Sequence, residues 1–395
     1  MRAPRRAASS GVPAPRLRET AETPEPRVSN IASSTAAGPP PGMKVRLSSN
    51  ESPHGPSPAA VAAATRAVAE AHLYPDDQSI ALRQALADEA GLPLEQVVVG
   101  NGSAALLMDA LTCLARPAED GAPAEVLAFE RSFVVHRLGA RNAGARYVEA
   151  PDGGPAVGDR DGYTRTPEAL LERVTDATRV VVIDNPGNPT NAHLSGPELT
   201  ALLAELPERV TVLLDEAYHD YATGQRGYAT SADLGVDHPR VLVTRTFSKA
   251  HALAGLRIGV LSGPADLVAE VDAWRPRFNV AAPAQAAALA SLGDRDHLAR
   301  GIERTLEGRR RMVDHLRAMG IPLTAGLGNF VTVELGEDAQ PTVDAYAARG
   351  IGVRPLQPYG MLEQIRVSVG SPDEVDAFLA ASDEVLAGVA SRAAG

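Results

Sequence analysis

Seven short apolar runs rich in β-branched residues restrict this chain to one broad architecture. They are Gln96–Val99, Val126–Phe129, Tyr147–Glu149, Val180–Ile183, Thr211–Leu214, Val241–Thr244 and Ile258–Leu261. Buried strands of this kind, separated by amphipathic helices, imply a mostly parallel sheet covered on both faces. Helical spacing at Pro58–Ala71, Ile80–Ala90, Ala104–Leu114, Glu168–Val174, Pro197–Leu206 and Ala265–Val271 supplies the cover. The expected class is therefore α/β.

A helix near Ala282–Leu292, continuing in the pattern around Arg300–Met319, leads into a smaller C-terminal α+β domain. Its strands are expected at Phe330–Val333 and Ile365–Val369, and its closing helix near Val375–Val389. Residues 1–42 carry eight prolines and almost no large apolar side chains. Such a segment cannot bury enough apolar surface to offset the entropy of ordering, so it reads as a disordered arm. The expected partition is the arm, a segment 43–72 packing with the small domain, a large domain 73–275 and a small domain 276–395.

Composition removes several classes of function. The formal net charge of −11 disfavours nucleic acid as a partner and suits a cytoplasmic protein. No uncharged apolar run approaches the ~20 residues that span a bilayer, so no membrane partner is expected. One cysteine, Cys113, excludes an internal disulfide and a Cys-based zinc cluster. The nine histidines include no His-Glu-x-x-His pair, so no metal is expected.

Lysine usage points to chemistry. Only Lys44 and Lys249 are lysines among the 38 Lys and Arg residues. A chain that meets nearly every need for a cation with arginine keeps lysine where an amine must lose its proton, since guanidinium stays charged. Lys249 is the leading candidate.

Four constellations share the ends of the expected strands. Val97-Val98-Val99-Gly100-Asn101-Gly102-Ser103-Ala104 is a strand, a Gly-rich turn and a helix start, fit to hold an anion or to serve as an ordinary βα turn. Asp184-Asn185-Pro186-Gly187-Asn188-Pro189-Thr190 follows a strand and, alone, is turn chemistry. Leu213-Leu214-Asp215-Glu216-Ala217-Tyr218 puts a carboxylate at a strand end, where open α/β sheets bind ligands and where a helix N-cap is equally compatible. Thr246-Phe247-Ser248-Lys249, with Arg257 eight residues on, sets a candidate Schiff-base amine beside hydroxyls and a cation suited to phosphate.

Together the four constellations resemble the class I/II, fold-type I pyridoxal-phosphate aminotransferases, from about Val45 to the C-terminal helix. Within that group the chain looks most like the histidinol-phosphate and aromatic amino acid aminotransferase branch. Ser49-Asn50-Glu51-Ser52-Pro53-His54-Gly55-Pro56, Tyr74-Pro75-Asp76 and Arg354-Pro355-Leu356…Tyr359-Gly360 carry that likeness. The resemblance implies pyridoxal 5'-phosphate held as a Schiff base on Lys249, which then shuttles a proton at the substrate. It implies Asp215 against the pyridinium nitrogen, Asn188 and Tyr218 on the phenolic oxygen, and Phe133 stacked on the ring. Ser103, Ala104, Thr246, Ser248 and Arg257 would hold the phosphate, reached also by Tyr74 of a second subunit in a homodimer. Asn50, Arg354 and Arg366 would bind substrate, Arg366 through its α-carboxylate and Arg354 through a distal phosphate.

Two departures bear on substrate. Ala104-Ala105 replace an acidic pair common after the Gly-Ser turn, and Asn191 stands where glycine is usual. Both, with Arg131-Ser132-Phe133, look closer to the aromatic enzymes, whereas Arg354-Pro355-Leu356 looks closer to the histidinol-phosphate enzymes. The expected reaction moves an amino group from glutamate or a similar donor to imidazole-acetol phosphate or an aromatic 2-oxo acid. The alternatives are a pyridoxal-phosphate lyase, such as a decarboxylase of the same family, and a non-catalytic binding module. A serine hydrolase is disfavoured, because the chain has no Gly-x-Ser-x-Gly elbow.

Overall fold

The computed structural model describes residues 43–117, 121–156, 162–225, 227–231 and 238–393. The expected arm, 1–42, lies outside them. All seven expected strands fall in one sheet, ordered Val97–Gly100, Gly259–Ser262, Val241–Thr246, Thr211–Asp215, Thr178–Asp184, Glu125–Phe129, Arg146–Ala150. Every neighbouring pair is parallel except the two made by Gly259–Ser262, which runs antiparallel to both its neighbours.

Period-two alternation explains why these runs are apolar throughout. Val126, Ala128, Val180, Val182, Leu213, Leu242 and Leu261 join one buried cluster with Leu106, Leu107 and Leu111 of helix Ser103–Leu114 and Val268 and Val271 of helix Ala265–Trp274. Leu127, Phe129, Val181, Ile183, Val212, Leu214 and Val243 turn the other way, onto Leu199, Leu202 and Leu203 of helix Gly196–Glu205. A fully buried Leu or Ile side chain contributes about 2 kcal/mol by removal from water, so this double burial fixes the strand register.

A second sheet has four strands in the order Leu323–Thr324, Phe330–Glu334, Gln364–Ser368, Arg354–Pro355. Its core gathers Val331, Val333, Ile365 and Val367 with Met312, Leu316 and Phe378. Val45–Arg46 pairs in parallel with Ile351–Gly352, which carries residues 48–51 toward the large sheet.

The expected continuous helix from Ala282 to Met319 is instead two, Ala282–Gly293 and Arg295–Ala318. Asp294 leaves helical geometry at φ −98°, ψ 61°, and its carboxylate accepts the His297 amide at 3.3 Å. An aspartate after a glycine stops one helix and caps the next. The closing helix is likewise split, into Pro372–Val385 and Ala387–Ala393, the first opened by a Ser371–Glu374 capping box. Val134–Asn142 and Ala339–Ala348 are helices the sequence patterns did not single out. No helix among the described residues is long and apolar enough to cross a membrane.

Candidate active site

The C-terminal ends of the parallel strands converge at one edge of the large sheet, where such sheets form their ligand crevice. Strand Val97–Gly100 ends there, and Ser103 opens the following helix. Strand Val241–Thr246 delivers Thr246 and Ser248, the Ser248 amide donating to Thr246 Oγ1 at 3.1 Å. Arg257 Nη1 donates to Ser248 Oγ at 3.2 Å. Ser103, Thr246 and Ser248 are each 8% exposed.

Glycines let this cradle close. A Cβ on Gly102 would lie 2.5 Å from Arg257 Nη2, and one on Gly259 would lie 2.3 Å from the Ser103 nitrogen. Gly102 has φ +83°, which L side chains avoid. Two hydroxyls near a guanidinium, with a helix N-terminus beside them, have the donor chemistry of a phosphate site. The phosphate group of pyridoxal phosphate fits this donor set.

Lys249 follows directly. Its Nζ donates to the carbonyl oxygens of Asn50 (3.0 Å) and Ser49 (3.3 Å) and sits 5.7 Å from the Tyr218 ring centroid. Removal from water, aided by the positive charges of Arg366 and Arg257, pushes the amine down to about 7, against the opposing pull of Glu51 and Asp215. An amine that titrates near neutrality has a large neutral fraction for attack on a carbonyl.

Asp215 ends strand Thr211–Asp215, 2% exposed, and accepts the Thr244 hydroxyl at 3.1 Å. His136 Nε2 lies 3.6 Å from its other oxygen. Tyr218 is buried; its hydroxyl accepts from Asn50 Nδ2 at 2.8 Å, and desolvation pushes the phenol well above its ordinary range. Phe133 caps helix Val134–Asn142, and its amide donates to Asp184 Oδ2 at 3.1 Å.

On the opposite wall, Arg366 donates to the Asn188 side-chain oxygen and, at 2.7 Å, to the Ser48 carbonyl. Its Nε is buried without a hydrogen-bond partner, a free donor on a guanidinium of the cleft. Arg354 lies directly across the antiparallel pair from Arg366. Desolvation, and to a lesser degree the charge of Arg354, lowers the Arg366 pKa.

Tyr74 is placed differently. It is 83% exposed and packs on Phe278, with ring centroids 4.8 Å apart. Three residues in contact with this site carried no role in the sequence: His136, Asp184 and Arg165. Phe133, at the N-cap, meets His136 of the first helical turn edge-on, with ring centroids 6.0 Å apart.

Asn191, the residue found where glycine is usual, has φ +57°. Its Oδ1 accepts the Gly328 amide at 3.2 Å and its Nδ2 donates to the Phe330 carbonyl at 3.4 Å. Asparagine tolerates the left-handed region better than most residues, and here it also links the two sheets.

A lysine amine, a buried carboxylate and a phosphate cradle on an α/β sheet define a pyridoxal-phosphate enzyme of fold type I, and comparison with known proteins agrees. The family model "Aminotransferase class I and II" matches residues 42–381. A histidinol-phosphate aminotransferase from Methylococcus capsulatus is 40% identical over 342 residues, covering 87% of this chain and 90% of that protein. One from Cupriavidus pinatubonensis is 37% identical over 345 residues, covering 87% and 88%. The crystal structure of histidinol-phosphate aminotransferase from Sinorhizobium meliloti, in complex with pyridoxal-5'-phosphate, superposes with a TM-score of 0.78 at 27% identity, covering 93% of this chain and 98% of that one. A Thermus thermophilus aspartate aminotransferase variant shares the fold, with a TM-score of 0.73 at 22% identity over 88% and 92% of the two chains. The chain belongs to the class I and II aminotransferases.

Proposed function

We propose that this aminotransferase exchanges an amino group between glutamate, or a similar donor, and the histidinol phosphate/imidazole-acetol phosphate pair. The observation that carries this reading is the Arg354–Arg366 pairing across two strands, which sets two cations side by side at the cleft. Arg366, with its unpartnered Nε, holds the α-carboxylate of the donor, and Arg354 meets the distal phosphate of the other substrate. The names of the relatives at 37–40% identity support the same pair.

Bound pyridoxal phosphate serves as the electron sink and amino carrier. Lys249 holds it and then moves the proton at the substrate's Cα. Asp215 keeps the ring nitrogen protonated, with His136 behind it. Asn188 and Tyr218 meet the phenolic oxygen, and Phe133 covers the ring. Asn50 orients Tyr218 and Lys249 from the substrate side. The large cofactor-binding domain is 73–275, the small domain is 276–395, and 43–72 is an N-terminal segment that packs with the small domain. The working form is a cytoplasmic homodimer in which exposed Tyr74 reaches the phosphate cradle of the second copy.

The test is a half-reaction. Purified holoprotein is mixed separately with histidinol phosphate, glutamate, phenylalanine and tyrosine, and conversion of the cofactor to its amine form is followed by absorbance. Histidinol phosphate and glutamate should react fastest. Faster conversion by phenylalanine or tyrosine than by histidinol phosphate overturns this substrate assignment in favour of the aromatic one.

A further inference from the structure

Behind the cleft, one guanidinium joins three separate segments of chain. Arg165 has a side chain with 0% exposure. Its Nε donates to Asp152 Oδ1 at 2.6 Å, and its Nη1 donates to Asp184 Oδ1 at 2.8 Å and to the Asp184 carbonyl at 3.0 Å. Nη2 donates to the Arg131 carbonyl at 3.1 Å, and the guanidinium carbon lies 4.6 Å from the Phe129 ring centroid.

The carboxylates pass this geometry on. Asp184 Oδ2 accepts both the Phe133 amide (3.1 Å) and the Asn188 amide (3.0 Å), while Oδ1 also accepts the Ser132 hydroxyl at 3.1 Å. Asp152 Oδ2 accepts the Arg131 amide at 3.0 Å. A Cβ on Gly187 would lie 2.6 Å from Arg165 Nη1, so the Asn188 loop closes directly onto the guanidinium.

A buried ion network is weak evidence for stability, because desolvating its charges costs about as much as their attraction returns. What it does supply is direction, since each oxygen here has fixed donors. Asp184 also lies at the start of helix Val134–Asn142, whose N-terminal dipole favours a negative charge.

We propose that Asp152, Arg165 and Asp184 form a positioning network that holds Phe133 and Asn188 in fixed mutual register against the cofactor ring. The inference rests on the reading that those two residues touch the ring. One carboxylate oxygen sets both contacts at once, so the ring is gripped by two loops that cannot shift independently. Asp184 and Arg165 touch neither cofactor nor substrate and act through Phe133 and Asn188.

The experiment compares full-length wild type with Asp184→Asn and with the paired variant Asp184→Asn/Arg165→Gln. The pair removes one charge of each sign and leaves a single buried carboxylate, Asp152, whereas Arg165→Ala alone leaves two uncompensated and endangers folding. Five quantities are measured: the dissociation constant of added pyridoxal phosphate, the circular dichroism of the bound cofactor, kcat, KM, and the thermal midpoint of the apoprotein. Misplacing the ring contacts should weaken cofactor binding about tenfold, diminish the cofactor's dichroic band and lower kcat roughly 10–100-fold, with KM for the amino donor nearly unchanged. The effect on cofactor binding should be strongly non-additive with Phe133→Leu.

A lowered thermal midpoint with wild-type cofactor affinity, dichroism and kcat would show a purely structural network and overturn the proposal. Full additivity with Phe133→Leu would do the same. If Phe133→Leu alone leaves cofactor affinity and dichroism unchanged, the ring-contact reading fails, and the positioning role falls with it.

Discussion

The Asn50 side-chain amide donates to the Tyr218 hydroxyl at 2.8 Å across 168 residues of sequence, while the Asn50 carbonyl accepts from Lys249 at 3.0 Å. The Asn50 Oδ1 accepts the Ser368 hydroxyl at 2.8 Å, so one residue in a left-handed turn (φ +54°) joins both sheets to the reactive amine. Asn50→Gly keeps the turn but removes the side chain, leaving the buried Tyr218 hydroxyl without that donor, at a cost of about 1–3 kcal/mol. Asn50→Ala adds backbone strain to the same loss. Thermal unfolding of the apoproteins should rank wild type, then glycine, then alanine; equal midpoints for the two variants would remove the argument from backbone conformation.

Lys249 links stability to pH. Its amine is lowered to about 7 in the fold, whereas an unfolded lysine titrates near 10.4. Between these values the unfolded chain binds the extra proton, so apoprotein stability rises with pH across that window and carries the full penalty below it. Apo Lys249→Met should melt roughly 5 °C above wild type at pH 6, with the gap shrinking toward pH 10. A gap independent of pH over that range would contradict the lowered amine.

Arg366→Lys keeps the charge but loses the planar fork and the free Nε donor. KM for the amino donor should rise roughly 10–100-fold, with a smaller change in kcat. A steady-state comparison across several amino acids checks this, and a loss confined to kcat would place Arg366 away from the carboxylate.

Asp109 makes the opposite electrostatic case. Burial pushes its carboxyl up to about 6, against the pull of Arg275, and its Oδ2 is buried without a hydrogen-bond partner. A carboxyl raised in the fold destabilises progressively as pH rises through about 4 to 6, and fully above that. Asp109→Asn should therefore be more stable than wild type at pH 8 by about 1 kcal/mol after allowance for solvent screening, or roughly 2 °C, and equal to it below pH 4. Denaturant or thermal melts at the two pH values decide it.

The large sheet was legible in the sequence because its strands are buried on both faces and leave unbroken apolar runs, as at Val180–Ile183. Lys249, Asp215 and Arg257 were legible because strand-end motifs keep fixed local spacing. Arg165 was not: its partners Asp152 and Asp184 lie 13 and 19 residues away, and only the fold brings them together. The break at Asp294 was hidden because helical periodicity resumes immediately after a single capping residue. Asn191 registered as a departure, but its link to Gly328 and Phe330 depends on a second sheet whose approach no local pattern encodes.

Strand Gly259–Ser262 runs against its neighbours, pairing Gly259 with both Gly100 and Thr246. In a wholly parallel sheet, the residues that precede a strand emerge at the edge far from the ligand. Reversing this one strand brings its approach, and with it Arg257, to the same edge as Ser103 and Ser248. The direction of a single strand thereby brings a positive charge to the edge where Ser103 and Ser248 stand, at the end of the 247–258 connection that also carries Lys249.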